Sequence, residues 1–264
     1  MTLSPLVSRV LVALIGLPAV LGIVYLGGWW LFALAAVAAV LALHEYALMI
    51  RSLRPVILAA YTGALLSLLG AHLGGLEWTV PGFLSTILLA FLLHQVAETR
   101  QSATIAIAST VLGAAWIGLC LAHLVLLREI PHDGRLATFT VLLAIWAGDI
   151  GAFFAGRLIG RHRLAPTLSP GKTWEGFLFG AAATIFVAFV ALYKQDYLSI
   201  GESILLGAVI AVAAPLGDLF ESALKRDMQI KDTGRLLAAH GGVLDRIDSL
   251  LFAAVAAYYL LRAF

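Results

Sequence analysis

The sequence predicts an all-α protein, a polytopic bundle of about nine transmembrane helices, and three observations carry that expectation. Of 264 residues, 62% are hydrophobic and only 12% are charged, whereas ordinary soluble domains average ~25% charged. Nearly the whole chain parses into apolar runs of the ~20 residues a spanning helix needs. A mean hydropathy of +1.00 leaves no room for a separate soluble domain. The spans fall near 9–27, 29–50, 56–74, 81–97, 103–127, 136–160, 174–193, 202–224 and 243–262, with Gly27-Gly28 able to join the first two as a hairpin. Within one continuous membrane domain, 1–135 reads as scaffold helices and 136–264 as a catalytic membrane region with cytoplasmic loops.

Composition also excludes functions. A net charge of +2 with scattered basic residues gives no nucleic-acid footprint. The single cysteine, Cys120, lies in an apolar run and offers neither a disulfide framework nor a thiolate metal cluster. The apolar stretch Val10–Leu26 is long for a signal-peptide core, so it reads as a retained first helix.

Orientation follows from Lys and Arg, which are enriched in cytoplasmic loops. With the N-terminus inside, thirteen of the 17 basic residues fall on the cytoplasmic side, and Arg128, Arg135, Lys194 and Arg262 fall outside. That places the C-terminus outside. Eight of the 15 acids, Asp149, Glu175, Asp218, Glu221, Asp227, Asp232, Asp245 and Asp248, lie in segments at or near the cytoplasmic face.

The richest stretch runs from Pro215 to Asp248. Asp218, Glu221, Ser222 and Lys225 stand at i, i+3, i+4 and i+7, so one helix face presents two carboxylates, a hydroxyl and an ammonium. Asp245 and Asp248 share a face at the start of the last span. Facing carboxylate pairs make an oxygen-lined pocket suited to Mg²⁺, which combines carboxylates with substrate phosphate oxygens. The plainer alternative is that Asp245 and Asp248 only complement a helix dipole, worth ~0.3–1 kcal/mol. Four acids at the ends of apolar spans, where each charge is expensive, favour the metal. Between these helices lie Lys225, Arg226, Lys231, Asp232 and Arg235, followed by His240-Gly241-Gly242. The glycines admit an anion close to the backbone, and the helix start after them offers free N–H groups for nucleotide phosphates.

A second constellation spans Gly148–Gly176. Asp149 within an apolar run needs a cation, a hydroxyl or a metal. Gly148, Gly151, Ala152, Ala155, Gly156 and Gly160 form a small-residue ridge that lets another helix pack closely and permits a homodimer. Ser169-Pro170-Gly171-Lys172-Thr173 is not a P-loop, since Pro166 stands where the first glycine belongs and no strand precedes it. It reads as a cytoplasmic loop touching phosphate or a lipid headgroup. His44 with Glu45, His72, His94 and His123 are scattered singly and read as packed or interfacial residues.

The run Ser222-x-Leu224-Lys225-Arg226-x4-Lys231-Asp232-x-Gly234, then His240-Gly241-Gly242-Val243-x-Asp245-Arg246-Ile247-Asp248, resembles the signature of phosphatidate cytidylyltransferases, also called CDP-diacylglycerol synthases. Asp149 with Gly156-Arg157, and Ser169–Thr173 with Glu175-Gly176, resemble that family's second shared region. The sequence departs at Ala238-Ala239, where the family usually has Pro-Gly or similar. The resemblance implies CTP and phosphatidic acid as substrates, CDP-diacylglycerol and pyrophosphate as products, and a requirement for Mg²⁺, with room for a second metal ion. Carried onto this sequence, Asp218, Glu221, Asp245 and Asp248 hold metal. Lys225, Arg226, Lys231, His240, Gly241 and Gly242 face the nucleotide. Asp149, Arg157, Ser169, Lys172, Thr173, Glu175 and Ser222 serve the phosphate or headgroup, and Asp218, Lys225, Asp245 and Asp248 are the catalytic set. The expected setting is a bacterial inner membrane with the site on the cytoplasmic face. A CTP-dependent polyprenol or phytol-type lipid kinase and an anion transporter are the rival readings.

Overall fold

A computed structural model describes residues 5–97, 102–231, 233–234 and 241–264. Its chain order is α1 (Pro5–Leu26), α2 (Gly28–Met49), α3 (Ile57–Val96), α4 (Ala103–Gly113) and α5 (Cys120–Arg128), joined to α4 by a π-helical turn at Ala114–Leu119. Then follow α6 (Gly134–Ile159), β1 (Arg163–Ala165), β2 (Ser169–Thr173), α7 (Trp174–Leu192), α8 (Ile200–Asp227) and α9 (Leu244–Ala263). Among the described residues six helical stretches are long and apolar enough to cross a membrane: α2, α3, Ala103–Arg128, α6, α7 and α8. The sequence suggests about nine because α1 and α9 are also apolar and α3 reads as two runs. Bulky side chains such as Phe153, Phe154, Phe179 and Phe186 stand exposed on α6 and α7, as lipid-facing residues do.

The chain divides into two compact units, Met1–Glu129 with Ile230–Arg246, and Ile130–Gln229 with Ile247–Phe264. In the first, α1 stops at Gly27, whose φ of 65° suits glycine. Arg128 caps that end, Nε donating to Val24 O at 2.9 Å and Nη2 to Tyr25 O at 3.0 Å, a cation on the negative end of the helix dipole. The 40-residue α3 doubles back at Gly75 (φ 65°, ψ −153°), a conformation only glycine adopts at low cost. Its halves touch along small residues: a Cβ on Gly63 would collide with Thr86, one on Gly70 with the backbone of Trp78, and one on Gly82 with the backbone of Leu66. The reversal explains why one helix reads as two apolar runs. Tyr46 is fixed in this unit by its hydroxyl, which donates to Ser109 O at 2.8 Å, and by edge contact with Trp116.

In the second unit the small-residue ridge of α6 is spent on α7. A Cβ on Gly148 would fall 2.3 Å from Thr184 Oγ1, and one on Gly176 would fall 2.8 Å from Ala152 O. Without a hydrophobic gradient in lipid, such close backbone approach is what holds helices together. The segment read as a plain loop is instead an antiparallel hairpin, with Arg163 opposite Thr173 and Ala165 opposite Ser169. It corrects the expectation of a chain with no strands, and Trp174 N closes it onto α7 by donating to His162 O at 2.9 Å. Helix α8 starts at a full capping box, Ser199 Oγ accepting from Glu202 N and Glu202 Oε2 from Ser199 N. Near its other end α8 meets α9 so closely that a Cβ on Gly217 would lie 2.4 Å from Asp248 O.

Candidate active site

Helix α8 presents the face that the i, i+3, i+4, i+7 spacing demands, and the second unit gathers partners around it. Lys172, on β2, reaches Asp218 with Nζ 2.7 Å from Oδ2. Ser222 lies one turn on, its hydroxyl 3.4 Å from Asp218 Oδ1. Glu221 is 1% exposed and accepts from Lys225 Nζ at 2.7 Å. Asp248, 9% exposed, accepts from Ser249 N at 2.7 Å. It also hydrogen-bonds with Glu221 and lies within charge range of Asp218 and Lys225. Asp149 is within charge range of Asp218 and Lys172.

This cluster therefore sets four carboxylates, Asp149, Asp218, Glu221 and Asp248, against two ammonium groups, Lys172 and Lys225. Counted as fully ionised, the cluster carries two more negative than positive charges. Two carboxyls in mutual hydrogen-bond contact, Glu221 and Asp248, need a proton or a cation nearby. The oxygen donors are hard, as Mg²⁺ prefers. Among the described residues no three His, Cys, Asp or Glu side chains converge as a complete ligand group. Mg²⁺ commonly uses one or two carboxylates and completes its shell with water and substrate phosphate, so the donor set fits that ion.

Other predicted site residues have structural partners. Thr173 is 5% exposed and caps α7, its Oγ1 accepting from Gly176 N at 3.1 Å. Glu175 pins the approach to the hairpin, accepting from Arg161 N at 3.1 Å and from His162 Nδ1 at 2.6 Å. Arg226 Nε donates to Leu168 O at 3.2 Å and ties the end of α8 to the hairpin turn. Ser169 sits in the ladder opposite Ala165, while Arg157 is exposed in the last turn of α6.

In the first unit, Lys231 is exposed, and Gly241 takes φ 80°. Gly242 N donates to Asp245 Oδ2 at 2.9 Å, so Asp245 closes the turn that opens α9. His240, Asp232, Ala238 and Ala239 lie outside the described residues. The N–H groups expected to be free for phosphate are engaged: Val243 N donates to Glu45 Oε1 at 3.0 Å and Leu244 N to Glu45 Oε2 at 2.8 Å. The reason is that Glu45, read from sequence as a packed residue, is 1% exposed and aimed at this helix start. A signal was present: Glu45 is the sole acid of α2, and a carboxylate in a spanning helix needs a partner as much as Asp149 does.

Helices long and apolar enough to cross a membrane, with acids and lysines clustered on α8 and its neighbours, define the class as a membrane protein with a polar site. Residues 7–264 match the cytidylyltransferase family, and the chain belongs to that family. It is 34% identical over 281 residues to a Synechocystis protein named phosphatidate cytidylyltransferase, covering 96% of this chain and 95% of that one. A Staphylococcus haemolyticus protein of the same name is 32% identical over 253 residues, 92% of this chain and 94% of its relative. The match to a Mycobacterium leprae protein, also so named, is 41% identical over 157 residues and spans 58% of this chain and 49% of that one.

Proposed function

We propose that this chain is a nucleotidyltransferase that converts CTP and phosphatidic acid into CDP-diacylglycerol and pyrophosphate. The observation that carries the reading is the α8–α9 cluster, in which Asp218, Glu221 and Asp248 are interleaved with Lys172 and Lys225. A phosphatidate oxygen attacks the α-phosphorus of CTP; the new P–O bond forms as the bond to the β,γ-pyrophosphate breaks. The nucleophile is already ionised, so no side chain must take a proton, and the protein's task is alignment and charge neutralisation. Lys172 and Lys225 neutralise phosphate charge. Ser222 orients Asp218, and Arg157 stands on α6 to meet the lipid phosphate. Asp218 and Asp248, with Glu221 beside them, would hold Mg²⁺, which when bound supplies charge compensation for the leaving pyrophosphate.

Purified protein in mixed micelles should form CDP-diacylglycerol and pyrophosphate one for one from CTP, phosphatidic acid and Mg²⁺. No turnover of phosphatidic acid, with phosphorylation of a polyprenol or diacylglycerol alcohol instead, would contradict the proposal. Lys172→Ala should lower kcat/KM about tenfold, equivalent to ~1.4 kcal/mol, without changing membrane insertion. Unchanged kinetics would reduce Lys172 to an anchor for Asp218.

The reading includes nine crossings, obtained by counting the two halves of α3 separately and adding α1 and α9. The charge bias supports an N-terminus and active site in the cytoplasm of a bacterial inner membrane, with the C-terminus outside. A reporter active only in the cytoplasm should be silent when fused after Phe264, and activity there would reverse the topology. The exposed faces of the helices leave a homodimer open, which cross-linking in membranes tests.

A further inference from the structure

We infer that Glu45 is a positioning residue of the transfer site, its carboxylate setting the turn Gly241–Asp245 that opens α9. The inference rests on the cytidylyl-transfer reading and adds to it a residue from the half of the chain that looks like scaffold.

Glu45 lies near the end of α2, 1% exposed, and receives hydrogen bonds from Val243 N and Leu244 N at 3.0 and 2.8 Å. The contact joins residues 198 and 199 positions apart. Helix starts ordinarily obtain a cap from a neighbouring Ser, Thr, Asp or Asn. Here a local carboxylate is already in use, since Asp245 accepts from Gly242 N at 2.9 Å. A second carboxylate brought from another helix, at the expense of burying it, does more than finish the helix: it fixes where the turn sits.

Two signature glycines are shaped by the same group. The three atoms nearest to a Cβ on Gly234 would all be Glu45's, with Oε1 at 2.7 Å, and one on Gly242 would meet the Thr233 hydroxyl and lie 2.6 Å from Glu45 Oε2. These glycines thus make room for a buried side chain of the protein itself. Glu45 lies against Gly234 and accepts from Val243 N and Leu244 N, two points of the segment that leads into α9, and so holds the residues from Gly241 to Asp245 in register. Its removal should loosen the nucleotide side of the site and leave the hairpin and α6 untouched.

The test compares wild type, Glu45→Gln, and the cycle of Glu45→Ala with Gly234→Ala, in purified full-length protein with CTP, phosphatidic acid and Mg²⁺. Glu45→Gln keeps the size but presents an NH₂ to a backbone N–H. It should lose at least about tenfold in kcat/KM for CTP while KM for phosphatidic acid stays within about twofold. Hydrogen exchange should rise at 242–246 and remain as in wild type across α6, α7 and α8. Gly234→Ala should reduce activity in the wild-type background and add little to Glu45→Ala, because the colliding group is gone. A folded, fully active Glu45→Gln protein, or effects of the two alanines that simply multiply, would overturn the inference. Exchange raised throughout every helix would make Glu45 a general folding residue and overturn it as well. Absence of transfer by the wild type would instead sink the function from which the inference starts.

Discussion

Asp218→Asn and Asp248→Asn proteins are expected to fold and to lose cytidylyl transfer by at least ~10³-fold, ~4 kcal/mol of transition-state stabilisation. Asn matches Asp in shape, and Asp248 needs only an acceptor to keep its bond from Ser249 N at 2.7 Å. If these acids served the fold alone, the amides would cost no more than ~1–2 kcal/mol of stability and leave turnover nearly intact. If they hold Mg²⁺ beside Lys172 and Lys225, removing one negative donor removes charge that the reaction requires, and raised Mg²⁺ should partly restore the weaker variant. Asp245→Asn separates the same alternatives on the α9 turn, because Asn still accepts from Gly242 N and still caps. A Mg²⁺ titration of kcat for each variant, with thermal unfolding in detergent alongside, is the measurement. Near-wild-type rates at ordinary Mg²⁺ in all three folded proteins would remove the metal assignment.

Gly217→Ala should damage turnover as well as stability. The added Cβ would lie 2.4 Å from Asp248 O and 3.3 Å from Ser249 Cα, atoms of backbone that no rotamer change can move aside. Overpacking of this kind costs ~1–3 kcal/mol. It also wedges α8 from α9 next to Asp218 and Asp248, and misplacement by ~1 Å can cost ~10²-fold in rate. Activity should therefore fall further than stability explains. Gly201→Ala, in the first turn of α8 with no atom within 4 Å of its Cβ, is the control. It should be neutral or stabilising, since alanine is favoured over glycine in a helix by ~1 kcal/mol. Equal effects of the two substitutions on melting and turnover would contradict the close α8–α9 approach.

Much of this architecture is legible because lipid imposes simple rules. Apolar runs bounded by charge became helices, Gly27 became a break, and the glycine ridge of α6 found α7. The acids of α8 share a face because the helical period requires it. The rest was hidden for identifiable reasons. Lys172 with Asp218 and Glu45 with Val243 are pairings across long sequence separations, which no local pattern encodes. Thr173 and Glu175 carry residue types suited to phosphate contact, yet their hydrogen bonds cap α7 and pin the hairpin, a use visible only once β1 and β2 are paired. Glu45 reads as a packing residue because it sits beside His44 in a stretch that otherwise looks like packing. The cost of a lone carboxylate in an apolar helix was the clue.

The most direct measurement follows the two ends of the nucleotide. Wild-type protein is given phosphatidic acid, Mg²⁺ and CTP labelled with ³²P at either the α- or the γ-phosphate, and lipid and aqueous products are separated. The α-label is expected in the lipid fraction as CDP-diacylglycerol and the released γ-label wholly in pyrophosphate, with both signals lost together in Asp248→Asn. Lipid carrying γ-label, with CDP released, would show phosphoryl rather than cytidylyl transfer and contradict that expectation.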